Sequence, residues 1–237
     1  RRSERALTLV EALAMSLLGR GAVAIWHDIA TEGRDAFYAW HGREHMPERA
    51  AVPGFLRGRR YIAIDGTPEY FNLYETASTA VLAGSDYLER LNHPTPWTVE
   101  TVKHFRGVAR SLCEVAHSRG DGEGGLIATY RYDASDAIAA RHRRSMRDAL
   151  DRLVDTPGIA GAHLLVADTD ASAIETAEKR ARASGTEIPR WVVLVEGWGD
   201  AETFTAQAHA FARDAAFTEA SSAPGVAVYR LQNARVR

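Results

Sequence analysis

Short runs of β-branched and aromatic residues, bounded by Gly, Pro or Asp, recur along the chain and alternate with stretches of helical periodicity. Gly21–Ile29 (GAVAIWHDI) and Gly124–Asp133 (GGLIATYRYD) open two successions of the same kind. Each is followed by a helical stretch ending at a Pro-Gly pair, Pro53-Gly54 or Pro157-Gly158. Each pair opens a second strand, LRGRRYIAID (Leu56–Asp65) or IAGAHLLVAD (Ile159–Asp168). A third strand carries a glutamate at or near its end, Glu75 in FNLYE and Glu196 in WVVLVEGW. Residues 21–117 and 124–232 therefore both read strand, helix, strand, strand, helix, strand. A repeat of about 110 residues has the size of a domain, and the order is the split-βαβ, ferredoxin-like pattern.

The first long helix is expected from Arg34 to Val52, with Thr31 as its cap. Gly42 and Pro47 lie inside it and predict a kink or break near Arg43–Pro47. The second, Ala77–Asn92, stops at the breakers in Asn92-His93-Pro94-Thr95-Pro96. In the second succession an uninterrupted helix is expected over Ser135–Val154, an inserted one over Ser172–Gly185 and another over Ala201–Phe217, before a closing strand Gly225–Gln232. The division that follows is a leader helix over 1–20, a first domain over 21–119, a polar linker over 120–125 and a second domain over 126–237. A four-stranded antiparallel sheet with both helices on one face leaves its other face bare. Two such sheets in one chain can cover each other, and the space between them is the expected ligand site.

Composition adds exclusions. Of 237 residues, 46% are hydrophobic and 25% charged, enough for a full core. The formal charge of −2 gives no reason to expect nucleic acid or an anionic membrane as partner. No 18-residue apolar run is present, so no spanning helix is expected. Ala6–Arg20, basic before and apolar within, loosely mimics a signal peptide, but Glu11 interrupts it and a leader helix is the better reading. The single Cys113 lies in an apolar strand pattern and reads as a buried thiol in a reducing cytoplasm. The clusters Arg57–Arg59–Arg60 and Arg141–Arg143–Arg144 read as solvated strand edges and helix faces.

The run Trp40-His41-Gly42-Arg43-Glu44-His45-Met46-Pro47, followed by Pro53-Gly54-Phe55 and a strand through Tyr61, resembles the dimeric α+β barrel superfamily. The W…H-x-P…PG pattern is most similar to EthD-like proteins. The resemblance implies an α+β fold of two ferredoxin-like βαββαβ units forming an intrachain, pseudo-dimeric α+β barrel. Known members include cofactor-free monooxygenases, polyketide cyclases, isomerases, dehydratases and haem-handling enzymes, so the fold narrows the chemistry poorly. The family pattern places His45 near the barrel mouth. In the second half Ser145-Met146 stands where His45-Met46 stands in the first, and no proline follows. One half is thus expected to keep a site, with the cavity lopsided toward it.

His41 and His45 are spaced i, i+4 and share a helix face, and HGREH literally matches an H-x-x-E-H zinc signature. Gly42 and Pro47 break the helix such a site needs and no third ligand follows, so no metal is expected. His45 reads either as a proton-transfer group or as a partner for a carbonyl freed by Pro47. His27, in the alternating set Val23-Ile25-His27, has Arg131 as its apparent counterpart and faces either the interior or solvent. Asn72 and Tyr74 share one face of strand three while Glu75 points the other way. Trp97, in a loop stiffened by Pro94 and Pro96, either covers a pocket or plugs the barrel end.

The candidate catalytic set is His45, His27 and Tyr74, with Trp40, His41, Arg60, His93 and Trp97 as substrate-binding residues. No Gly-rich phosphate loop, Ser-His-Asp order or Cys-x-x-Cys appears, and no cofactor is expected. The first functional reading is a cofactor-independent enzyme moving protons on a small hydrophobic, aromatic or polyketide-like ligand, by isomerisation, dehydration, cyclisation or oxygenation. The second is a non-catalytic ligand-binding or interaction module of the same fold. A homodimer is compatible with both.

Overall fold

The computed structural model describes residues 16–182 and 185–237. The proposed leader helix falls mostly outside them. Strand β1 (Gly21–Ile29) leads into helix α1 (Arg34–Trp40), a wide π-helical turn (His41–His45) and α2 (Met46–Ala51). Strands β2 (Phe55–Asp65) and β3 (Tyr70–Thr76) follow, then α3 (Thr79–Leu82), α4 (Ser85–Asn92), α5 (Pro96–Val102) and β4 (Phe105–Gly120). The second succession is β5 (Leu126–Tyr132), α6 (Ala139–Leu153), β6 (Ile159–Ala167), α7 (Thr169–Ala173), α8 (Ala177–Ala181), β7 (Thr186–Glu187), β8 (Trp191–Gly197), α9 (Ala201–Phe211) and β9 (Gly225–Val236).

Eight strands close into an antiparallel barrel in the order β4-β1-β3-β2-β9-β5-β8-β6, with β6 pairing back to β4. The short β7 adds to β4 in parallel. The four strands of the first half lie in the order β4-β1-β3-β2 and those of the second in the same permutation, β9-β5-β8-β6. Two seams, β2–β9 and β4–β6, join the halves. Gly54 and Gly158, from the two Pro-Gly pairs, have φ of +88° and +90°, which is why glycine stands at both strand openings.

Alternation along β1 sends Ala22, Ala24 and Trp26 into the barrel and Val23 and Ile25 toward the helices. The interior is packed with Trp26, Tyr61, Phe71 and Tyr229. Trp26 stacks on Phe71 at 5.0 Å and donates to Thr129 Oγ1 of the other half at 3.1 Å. The ligand space expected between the sheets is therefore core, because eight strands enclose little more than their own side chains.

Several expected elements differ locally. The helix expected over Ala77–Asn92 is interrupted near Gly84, and the insert forms two short helices, not one. The helix expected from Ser135 begins at Ala139 after a 3-10 turn, and the last strand runs on to Val236. Burial also corrects the reading of Arg57, Arg59 and Arg60, none of which is solvated. Arg57 and Arg59 point into the barrel, where Arg57 grips Glu75 with two contacts of 2.8 Å and Arg59 grips Glu196 at 2.6 and 2.9 Å. Arg59 also reaches Glu75 at 3.0 Å, so one network ties β2 and β3 to β8 of the other half. Burial alone would raise the Glu196 pKa, but Arg59 and His163 override it and hold the carboxyl below the usual range.

Removing one partner of such a pair strands a buried charge. Glu196→Gln is expected to lower the unfolding free energy by about 3–5 kcal/mol in urea titrations, whereas replacing Arg59 and Glu196 together by Met and Leu recovers most of the loss. A single variant as stable as wild type would show that the network contributes nothing to the fold.

Candidate functional site

The outward face of the first-half sheet carries His27 on β1, Arg60 on β2, and Asn72 and Tyr74 on β3, under the helical stretch from α1 to α2. That stretch runs on without a break, and where a kink or break was expected near Arg43–Pro47 the helix widens. Pro47 lacks an N–H and crowds the preceding turn, and the wide turn over His41–His45 absorbs the misfit. It leaves both imidazoles buried toward the sheet with ring centroids 5.5 Å apart. Gly58 gives Tyr74 room, since a Cβ there would lie 2.9 Å from its ring. Glu44 points away from the histidines and accepts from Thr95 at 2.5 Å and Thr98 at 3.3 Å. Trp40 donates to the same Thr98 hydroxyl at 3.0 Å, which pins the turn to α5.

The hydrogen bonds fix the neutral tautomers. Arg60 can only donate, so His41 Nδ1 accepts from it at 3.4 Å and the ring proton sits on Nε2. His41 Nε2 then donates to the Tyr74 oxygen at 3.2 Å, leaving the Tyr74 O–H free to turn toward the cavity. His27 Nε2 accepts from Asn72 Nδ2 at 2.9 Å, and its Nδ1 donates to the Asp28 carbonyl at 3.4 Å. Burial pulls the His27 pKa down to about 3, with Arg182 and Arg60 adding to the effect. Burial also lowers His41 and His45 well below the ordinary value, reinforced by His45 and Arg60 at His41 and by Arg49 and Arg182 at His45. Burial raises the Tyr74 pKa, so its hydroxyl stays protonated.

The cover comes from the other half. Helix α8 packs on α4 and α5 and sets Glu178 and Arg182 over the histidines. Beneath them is an enclosed cavity of about 20 Å³, room for a water or two. His41, His45, Asn72, Tyr74, Glu178 and Arg182 supply its polar wall. Buried His45 Nδ1, Asn72 Oδ1 and Arg182 Nε and Nη1 have no hydrogen-bond partner among the described residues. A larger depression of about 430 Å³ opens at the surface between Arg131, Glu187 and Arg190 of the second half. In size, then, the expected lopsidedness toward the first half is reversed, although the enclosed space lies there.

Trp40, His41, His45 and Tyr74 are thus gathered around one space, with His27 and Arg60 behind it, bonded to its Asn72 and His41. His93 and Trp97 are not: His93 is exposed beside Glu89, and Trp97 is 39% exposed on α5. Arg131 is not the equivalent of His27, because it lies on the barrel-facing side of β5, over the Trp26 ring. Arg49, Glu178 and Arg182 went unassigned, since nothing local in the insert says that it crosses to the opposite half. No group of three or more His, Cys, Asp or Glu placed to hold a metal is found among the described residues.

No protein-family model and no curated protein matches the sequence. Solved structures match the fold. An anthrone oxidase-like protein superposes with a TM-score of 0.62 at 12% identity, over 91% of this chain and 92% of its own. A candidate monooxygenase from Lactobacillus acidophilus NCFM gives 0.55 at 10% identity, over 92% and 96%. A candidate chlorite dismutase gives 0.55 at 9% identity, over 91% and 96%. The fold is the dimeric α+β barrel. At these identities the likeness is one of fold. Within this α+β barrel the polar cavity lies outside the barrel wall, between sheet and helices. No helix among the described residues is long and apolar enough to cross a membrane.

A histidine kept neutral by burial makes stability depend on pH. Between pH 6.5 and about 3 the unfolded chain binds a proton at His27 that the folded chain does not, so stability falls as pH drops through that window. Each such histidine contributes up to about 1.4 kcal/mol per pH unit. His27→Gln is expected to flatten the fall in urea stability between pH 6 and 5, where most carboxylates stay ionised in both states. Parallel curves for the variant and wild type would contradict a neutral His27.

Proposed function

We propose that this protein is a cofactor-independent enzyme that removes a proton from a small hydrophobic aromatic substrate, with His45 as the base. The observation that carries this reading is a buried, neutral imidazole with a free nitrogen, His45 Nδ1, beside Tyr74 in an enclosed polar cavity. Buried polar atoms are normally partnered. A low pKa alone would make His45 a feeble base, but an anion formed within about 4–6 Å favours its protonated form and lifts that pKa as the proton moves. His41, held between Arg60 and Tyr74, orients the Tyr74 hydroxyl as a donor to the substrate oxygen.

Oxygenation is the form of proton transfer that the structural likeness to anthrone oxidase-like and monooxygenase-like proteins supports best. An anthrone-type CH2 loses a proton to His45, and the carbanion, delocalised onto the ring oxygen, reacts with O2. Overall the CH2 becomes C=O and water leaves, so both oxygen atoms and all four electrons are accounted for. The chain is read here as a tandem pair of ferredoxin-like units, over 21–119 and 126–237, with an EthD-like motif in the first. The repeated strand permutation and the paired Glu75 and Glu196 support that reading.

The size of the cavity favours a second reading. About 20 Å³ is far below the roughly 300–1,000 Å³ of pockets for drug-sized ligands, so an aromatic substrate enters only if the α8 cover moves. A chain that never opens there is a non-catalytic module. A haem, larger than any such substrate, does not fit the site as it stands.

Oxygen uptake with anthrone, and melting temperature on the same samples, separate the readings. His45→Gln and His45→Ala are expected to slow uptake by roughly 10²–10⁴ with little change in melting. If His45 only satisfies a local backbone group, its loss costs about 0.5–2 kcal/mol of stability and leaves turnover or ligand affinity intact. That second result ends the catalytic reading.

A further inference from the structure

Charge does not balance over the cavity. Arg182 donates from Nη2 to Glu178 Oε1 at 3.2 Å, and the other oxygen of Glu178 accepts from Arg49. Arg110, bound to the Tyr87 hydroxyl at 2.9 Å, lies close enough to help lower the Glu178 pKa against its burial. Three guanidinium groups thus surround one carboxylate. Counting Glu48, 3.4 Å from Arg49, still leaves one positive charge unmatched. Arg60 does not line the cavity and stays outside this count; among the described residues it bonds Gln232 and His41. The Arg182 side chain is 5% exposed, and two of its three nitrogens have no partner among the described residues. A buried guanidinium in that state is costly unless something anionic completes it.

We propose that the closed cavity is a binding site for a singly charged oxyanion, a carboxylate or an enolate oxygen, held by Arg182 Nε and Nη1, with His45 Nδ1 becoming a further donor to an enolate once it has taken the substrate proton. Arg182 is the binding residue and the second half delivers it in cis. The unmatched charge sets the valence. Glu178 and Asn72 Oδ1, which has no partner among the described residues, also line the cavity and oppose a second negative charge. The volume sets the size, since only a carboxylate as small as formate or one oxygen of a larger anion fits about 20 Å³. That the anion is an enolate rests on the proposed proton transfer; that an anion binds does not.

Sodium formate is the probe, titrated at constant ionic strength against gluconate, with melting temperature and 13C-formate line width as readouts. The wild-type protein should show a saturable rise in melting temperature and saturable line broadening. Arg182→Gln and Arg182→Lys should each weaken formate at least about tenfold, the loss expected when a charge-assisted hydrogen bond is removed. Arg143→Gln, at a half-buried helix position away from the cavity, should bind as wild type does. No saturable response in the wild-type protein, or equal affinity in an Arg182 variant that folds, overturns the site. If Arg182→Gln does not fold, the lysine variant and the wild-type titration decide. Oxygen uptake on the same samples separates the two inferences. Formate binding without uptake keeps the anion site and ends the catalytic reading, while uptake without formate binding does the reverse.

Discussion

Pairing of β2 with β9 and of β4 with β6 turns two four-stranded groups into one closed sheet in which each barrel strand has two neighbours. Closure removes the exposed edges that each half would otherwise present. It also fixes the diameter, and at eight strands the interior is consumed by Trp26, Tyr61, Phe71 and Tyr229. A ligand site has to lie elsewhere, and the remaining location is between the outer sheet face and its helices. The position of the cavity thus follows from how the barrel is filled.

One end of the interior is ionic. Glu75 and Glu196 occupy matching ends of β3 and β8, yet both are served by arginines of β2 alone. Where the first half has Arg57 and Arg59, the equivalent strand β6 has Gly161 and His163, and His163 sits 3.4 Å from Glu196. The network spans the halves, so a carboxylate of one depends on a guanidinium of the other. Alternation along β2 separates three nearby arginines, sending Arg57 and Arg59 inward to carboxylates and Arg60 outward to His41.

The two outer faces have diverged. In the second half the sheet and α6 enclose an apolar core around Tyr130, Met146, Leu150 and Phe204, with His142 bonded to Tyr132 at 3.0 Å. In the first half the corresponding space holds three histidines, Asn72 and Tyr74, and is covered by the insert between β6 and β8. The β2–β3 connection of the first half is only the few residues between Asp65 and Tyr70, so it offers no such cover in return. The polar cavity is built from one half and sealed by the other.

The sequence by itself determined the element order, the two Pro-Gly strand openings and the faces of the strands. Those are local properties: β-branched runs set strands, a period of two sets faces, and left-handed glycine sets the turns. It also marked Trp40, His41, His45 and Tyr74, because an i, i+4 spacing and a strand alternation are enough to align them. Tertiary structure alone decided which residues met across the chain. Arg57 and Arg59 looked solvated until Glu75 and Glu196 faced them inside a closed barrel, and His93 and Trp97 looked like a cover until α8 took that place. Arg182 lies far along the chain from His45, and only barrel closure with the insert folded across brings both to one cavity. Local sequence carries no record of such contacts, since their free energy exists only once the intervening chain has been folded.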